Sequence, residues 1–213
     1  MEYSKEKLIQ DINEAERVLV GVGKEFCLND NINSTEVASA YEKLAVLLKD
    51  KEYFVVTLTT DDIIYTSSVD TERIVAPCGS INRYQCNNNC EDKIYTLEDI
   101  SHTPVCPVCN GKLVHNTVEA EVYNEKGYLD YWQKYTRFLQ NTLNKKTVLL
   151  ELGVGMQFPG IIRFPFEKTC FYNNKAILYR INGMLPQVPV ELAEKAYEVN
   201  ENAVVFCRNE FVI

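Results

Sequence analysis

Residues 76–109 read APCGSINRYQC, then NNNC, a polar 15-residue spacer and CPVC. Three residues separate Cys86 from Cys90, and two separate Cys106 from Cys109. The chain thus offers two short chelating turns facing each other across a spacer. A tetrahedral Zn²⁺ takes four thiolates at about 2.3 Å, two from each turn. Pro107 stiffens the second turn. Asn110-Gly111 after it tolerate positive φ, which lets backbone N–H groups turn toward sulfur. Two disulfides or a redox CxxC are the alternatives. Disulfides belong to oxidising compartments, and redox CxxC pairs to strand-to-helix turns. Four cysteines leave no coordination position for water, so the expected zinc is structural.

The 213 residues are 46% hydrophobic, enough for one good core with a small satellite module. A formal net charge of −8 argues against nucleic-acid binding and against a basic membrane-surface role. The start, MEYSKEKLIQDINEAE, reads as an amphipathic helix without a signal-peptide core. No run approaches the roughly 20 apolar residues of a membrane span. Four of the eight cysteines lie in the zinc-like cluster, which suits a reducing, cytoplasmic setting.

Outward from the cysteines, apolar strands alternate with helical patterns. Residues 4–16 have helical spacing, and Arg17–Gly21 reads as a buried strand running into a glycine turn. Cys27–Asn33 is loop-like. Ser34 or Thr35 is the expected N-cap of a helix over Glu36–Lys49. Tyr53–Thr57 and Arg73–Pro77 read as strands, Tyr128–Asn144 as a helix, and Thr147–Gly153 as the most apolar strand. Ala176–Asn182 is expected to be a strand, Val190–Val199 a helix and Ala203–Cys207 a last strand. The aromatic residues of 128–138 have helical spacing and belong to the core. Phe158, Phe164 and Phe166, interleaved with prolines, read as a loop able to wall an apolar channel. The pattern implies an α/β fold: a Rossmann-like parallel sheet with helices on both faces and a small inserted zinc-binding module.

In such a sheet, ligands sit beyond the carboxyl ends of the strands, where strand order reverses. Five strand ends here carry unusual residues. Gly21-Val22-Gly23 would let backbone amides approach a pyrophosphate, although a GxG alone is often only a tight turn. Thr57–Asp62 places hydroxyls and carboxylates after a strand, or else caps a helix. Cys78-Gly79-Ser80, Gly153-Val154-Gly155 and Asn182-Gly183 complete the set.

The order of these features resembles the sirtuin family of NAD-dependent deacylases and ADP-ribosyltransferases over nearly the whole chain. The cysteine spacing after an xGS step is its specific part. The resemblance implies a Rossmann-like NAD-binding domain from 1–79 and 125–213, and a zinc module from 80–124. NAD and an extended protein or acyl-peptide segment would lie between them. Gly21 and Gly23 would lie under the pyrophosphate, Gly153 and Gly155 near the adenosine and its ribose, and Asn182 on the adenine side. Val118–Glu125 resembles the segment entering the substrate cleft, and Asp61 matches the family's strand-end aspartate.

Three departures stand out. No arginine follows Phe26 in the loop that shields nicotinamide in the family. Thr59 stands at the asparagine position of T-x-N-x-D. Cys78 replaces the general-base histidine. A histidine takes a proton near neutral pH, whereas a cysteine of pKa about 8.5 is mostly protonated there. His102 and His115, the two histidines, flank the second cysteine turn and belong to the module's surface or metal surroundings. Cys27, Cys170 and Cys207 have no partner pattern and read as structural. The expected activity is therefore NAD-dependent deacylation or ADP-ribosyl transfer with a divergent active site. The alternative is a non-catalytic module binding NAD, ADP-ribose or a protein.

Overall fold

In the computed structural model, which describes residues 2–30, 32–100 and 105–211, the apolar runs become the strands of one twisted sheet. In chain order the elements are α1 (Lys5–Glu14), β1 (Arg17–Val22), α2 (Ser34–Leu48), β2 (Tyr53–Thr57), β3 (Ile74–Val75), β4 (Gly79–Cys86), β5 (Tyr95–Thr96), β6 (Leu113–Thr117), α3 (Leu129–Gln140), β7 (Thr147–Leu152), α4 (Arg163–Tyr172), β8 (Ala176–Ile181), β9 (Ala196–Val199) and α5 (Ala203–Glu210). The large sheet runs β3-β2-β1-β7-β8-β9, every neighbour parallel. Strand order therefore reverses between β1 and β7, which is the topological switch point of a doubly wound fold.

Alternation along the strands divides the core into two layers. Val18, Val20 and Val22 of β1, with Leu150 and Leu152 of β7, pack under α1, α2 and α5. Leu19, Leu149, Phe54 and Leu178 face the other way, toward α3 and α4. The aromatic face of α3 is core: the Phe54 ring lies 5.8 Å from Tyr135 and 6.0 Å from Phe138. The insertion folds as a separate antiparallel sheet, β5-β4-β6, spanning Gly79–Thr117.

Several elements differ from the sequence expectation, each for a local reason. The N-cap of α2 is Asn33, one residue early. Its side chain accepts from the Glu36 N–H while the Glu36 carboxylate accepts from the Asn33 N–H, a reciprocal capping box. Val190–Val199 is not a helix: a single 3-10 turn at Val190–Leu192 leads into edge strand β9. Ala203–Cys207 is helical, because Asn202 caps the N–H groups of Val204 and Val205 and overrides a β-branched run. The Phe-Pro stretch is a loop only in its first part: Phe158 and Pro159 lie in the turns before α4, and Phe164 and Phe166 lie within the helix. Pro165 sits in the first turn of α4, where its missing N–H has no intrahelical partner to lose. Phe166 is fully buried in the core, whereas Phe164 is 51% exposed.

Two buried charges sit beneath the β7 and β8 loops. Arg180 on β8 and Glu151 on β7 are both inaccessible to solvent. The Arg180 guanidinium donates to both Glu151 oxygens (2.6 and 3.0 Å), to Glu167 Oε1 (2.8 Å) and to the Gln187 carbonyl (2.7 Å). Arg163 donates to the carbonyls of Val154 (3.2 Å) and Gln187 (2.9 Å). The network ties the loops leaving β7 and β8 to the sheet from below. Removing one partner of a buried pair strands the other charge. Arg180→Ala is therefore expected to lower unfolding free energy by about 3–5 kcal/mol in urea titration. The pair Glu151→Leu/Arg180→Met should lose less. A loss under about 1 kcal/mol for Arg180→Ala, the range of exposed pairs, would contradict this role.

Candidate functional site

At the switch point two backbones meet with no side chain between them. The Gly23 N–H donates to the Leu152 carbonyl (2.8 Å), continuing the β1–β7 pairing past the strand. A Cβ on Gly23 would lie 2.2 Å from the Gly153 carbonyl oxygen, so only glycine fits. Gly153 itself turns at φ +67°, and a Cβ there would strike the Glu25 Cβ at 2.5 Å. Gly21 is placed differently. It is buried within β1, and Ile162 lies over it. Gly155 faces open space.

Glu25, which the sequence reading passed over, crosses this junction. Its carboxylate accepts from the Gly183 N–H (2.8 Å) and the Ala203 N–H (2.7 Å), joining the loops after β1, β8 and β9. An acidic residue two places after a glycine turn expected to hold phosphate was the available signal. Asn182 is buried beside it. Its Nδ2 donates to the Val154 carbonyl (3.1 Å), and its Oδ1 accepts from the Met184 and Leu185 N–H groups (2.8 and 2.7 Å). The amide therefore shapes the two loops.

The other half of the crevice carries hydroxyls and carboxylates. Thr57 and Thr59, both buried, share a hydroxyl hydrogen bond of 2.8 Å. The Tyr41 hydroxyl from α2 is fully buried beside these two threonines. Asp61 Oδ1 accepts from the Ile63 N–H (3.0 Å). Burial raises the Asp61 carboxyl above its ordinary value, with the Ile63 N–H pulling the other way. Its neighbour Asp62, at φ +63°, accepts from Ser80 Oγ (2.5 Å) and Asn82 Nδ2 (3.2 Å), fastening this loop to the start of β4. Cys78 lies in the core with Leu58 and Val75, and burial pushes its thiol up to about 12. At neutral pH it is protonated, so it offers neither a base nor a thiolate. Lys24 is exposed on the glycine turn. His115 is exposed on β6, with its ring 5.0 Å from Tyr84; His102 lies outside the described residues.

The four spacer-flanking cysteines come together. The ligand atoms of Cys86, Cys90, Cys106 and Cys109 all lie within 4.8 Å of one another. Three of their sulfur pairs are 3.5 Å apart. A tetrahedron of about 2.3 Å metal–sulfur bonds has edges of about 3.8 Å, whereas a disulfide needs about 2.05 Å. The cluster fits metal coordination and not disulfide pairing. The Gly111 N–H (3.4 Å) and Asn88 Nδ2 (3.6 Å) donate to Cys109 Sγ; the Gly111 bond, followed by those from the Cys86 and Cys90 thiols, holds the Cys109 thiol below its ordinary value. The buried apolar cluster of this module consists of Tyr95 and Leu113 with Cys86 and Cys106, too little to hold a fold alone.

A chain of buried amides returns the polypeptide to the crevice. Gln85 Oε1 accepts from Asn116 Nδ2 (2.6 Å) and the Asn124 N–H (2.8 Å), and Gln85 Nε2 donates to the Val122 carbonyl. The Val118 N–H donates to the Cys78 carbonyl (3.1 Å). Residues 118–125 are thereby held between the module and the large sheet. A groove of about 540 Å³ lies elsewhere, between the end of α3 and α4.

This architecture is that of the Sir2, or sirtuin, fold. The chain superposes on a sirtuin solved for its substrate affinity with a TM-score of 0.67 at 17% identity, covering 97% of this chain and 96% of that one. A Sir2 homologue–NAD complex matches with a TM-score of 0.64 at 15% identity, covering 99% and 93%. Among curated proteins, a protein ADP-ribosyltransferase of Staphylococcus aureus is 23% identical over 183 residues, 78% of this chain. A probable bifunctional ADP-ribose hydrolase/ADP-ribosyltransferase of Fusarium oxysporum f. sp. cubense is 27% identical over 161 residues, 66% of this chain. These matches span 58% and 27% of the two relatives' own lengths. No protein-family model matches the chain. No helix among the described residues is long and apolar enough to cross a membrane.

The raised Asp61 pKa has a definite sign in stability. The unfolded carboxyl ionises near 3.8 and the folded one above it, so the stability penalty is absent below 3.8 and sets in as pH rises through the folded value. Asp61→Asn keeps an acceptor for the Ile63 N–H and removes the penalty. It is expected to raise Tm at pH 7 and leave it unchanged at pH 3. A lower Tm at pH 7 would make Asp61 a structural carboxylate.

Proposed function

We propose that the protein binds NAD across the strand tips and transfers its ADP-ribose to an acceptor, with a structural zinc in the inserted module. The observation that carries this reading is the close meeting of Gly23 with Gly153 at the switch point, with Lys24 exposed on the turn that follows Gly23 and Asp61 on the loop after the neighbouring strand β2. NAD supplies a glycosidic bond to nicotinamide whose cleavage makes ADP-ribose transferable. The chain's own part is to bind and orient. Lys24 offsets phosphate charge, Thr59 and Asp61 position a ribose, and Gly155 leaves room beside the adenosine. The names of the two curated relatives support ADP-ribosyl transfer. So does the protonated Cys78, because deacylation also requires a ribose hydroxyl to lose its proton and Cys78 cannot take it.

The discontinuous stretch 1–79 with 125–213 would hold the nucleotide. The module 80–124 would present residues 118–125 to a protein or acyl-peptide acceptor, in a reducing, cytoplasmic setting that keeps the thiols free. The buried Cys78 also favours a second reading, a module that binds NAD or ADP-ribose without turnover.

The zinc-replete protein, incubated with NAD and acceptor proteins or acyl-peptides, is expected to release nicotinamide and label the acceptor with ADP-ribose. Asp61→Asn should lower this rate about 10²-fold or more while the protein stays folded. Binding without nicotinamide release would favour the sensor, and neither binding nor release would overturn the nucleotide reading. Cys86→Ser and Cys109→Ser are each expected to lose zinc and to melt at lower temperature, because metal binding and folding are linked. Stoichiometric zinc in both variants would contradict the cluster's role.

A further inference from the structure

Apolar side chains crowd the outer face of α4. Phe164 and Phe171 are each 51% exposed and Tyr172 is 67% exposed, although Arg163, Phe166 and Cys170 bury the inner face. Grooves run on both sides of the helix. The one toward α3 has a volume of about 540 Å³, and a second of about 450 Å³ lies between α4 and the Val190–Leu192 turn. Phe164, Lys168 and Tyr172 line both grooves, so they form the ridge between them. Their spacing of four residues is the ridge that, in the commonest helix packing, interdigitates with the same ridge of a facing helix at about −50°.

The second groove also holds charge. Lys168 stands on the ridge and Glu191 on the opposite wall, and neither side chain has a hydrogen-bond or ion-pair partner among the described residues. Glu167, the other acid there, is already committed to Arg180 (2.8 Å). From this face we infer that two copies of the chain associate through α4 about a two-fold axis, the ridge of each seated in the second groove of the other, with Lys168 against the facing Glu191. A two-fold interface must be self-complementary, and this one face supplies the ridge, the groove, the cation and the anion. The size fits as well. Aromatic side chains of about 150–250 Å² each, exposed by half or more, leave roughly 300 Å² of ring surface here. Val190, 80% exposed at the groove's edge, adds to it. That is the scale of the apolar centre of an interface burying about 800 Å² per partner behind a polar rim. The inference uses none of the residues assigned to the nucleotide and stands apart from that reading.

The test is sedimentation equilibrium of the full, zinc-replete chain from about 1 to 200 µM, where the mass is expected to rise from one chain to two. Tyr172→Asp, at an exposed position, should melt like wild type at the low end of this range and keep the mass of one chain throughout. Phe171→Ser serves if that variant fails to fold. Lys168→Glu and Glu191→Lys are each expected to weaken the dimer about tenfold or more, and the double reversal to recover to within about threefold of wild type. A wild-type mass of one chain at the highest concentration overturns the inference. So does a dimer that survives the folded Tyr172→Asp or Phe171→Ser variant, single reversals without effect, or single reversals that weaken it with no recovery in the double variant.

Discussion

Backbone touches backbone where β1 and β7 end, and the rest of the crevice follows from that contact. With a hypothetical Gly23 Cβ only 2.2 Å from the Gly153 carbonyl, neither loop can carry a side chain into the gap. The chain after β1 drops directly onto the strand tips, a 3-10 turn over Lys24–Phe26 follows at once, and Glu25 reaches three strands away. A side chain at either glycine would push the loops apart and disconnect the two halves of the sheet at the position where a doubly wound fold takes its ligand.

Different forces hold the parts around this junction. Apolar burial on both faces fixes the sheet, each fully buried aliphatic side chain contributing about 1.5–3 kcal/mol. The loops beyond β7 and β8 are held electrostatically, through Arg163 and Arg180 to the carbonyls of Val154 and Gln187. The inserted module has little apolar core, so its shape depends on four sulfurs converging and on the Gln85–Asn116–Asn124 amides that join it to the segment returning to the sheet.

Much of this was legible in the sequence, because the signals were local and redundant. Strands β1, β2, β7 and β8 are continuous apolar runs next to glycine or hydroxyl turns, and the cysteine spacing reports its cluster directly. Where reading failed, a short-range signal was outvoted by tertiary contacts or caps. Ala203–Cys207 carries a β-branched run, yet Asn202 caps two of its N–H groups and Ala203, Val204, Phe206 and Cys207 are buried against the sheet. Edge strand β9 is four residues long, too short to show an alternation. Proline and phenylalanine together disguised α4, in which Arg163, Phe166 and Cys170 form the buried stripe. Of the site, the glycines and Asp61 were visible as strand-end residues, and Gly21 proved to lie under Ile162. Glu25 was visible only as an acidic residue after a glycine turn; its partners were not, because they lie 158 and 178 residues away and no spacing rule links them.

The most direct measurement of where a nucleotide sits is an amide NMR titration of the isotope-labelled chain with ADP-ribose. The account expects shifts concentrated at Gly23, Glu25, Gly153, Gly183 and Ala203, the residues of the strand tips. Shifts confined to Phe164, Lys168 and Thr169 along the groove between α3 and α4, or no shifts at millimolar ligand, would contradict it.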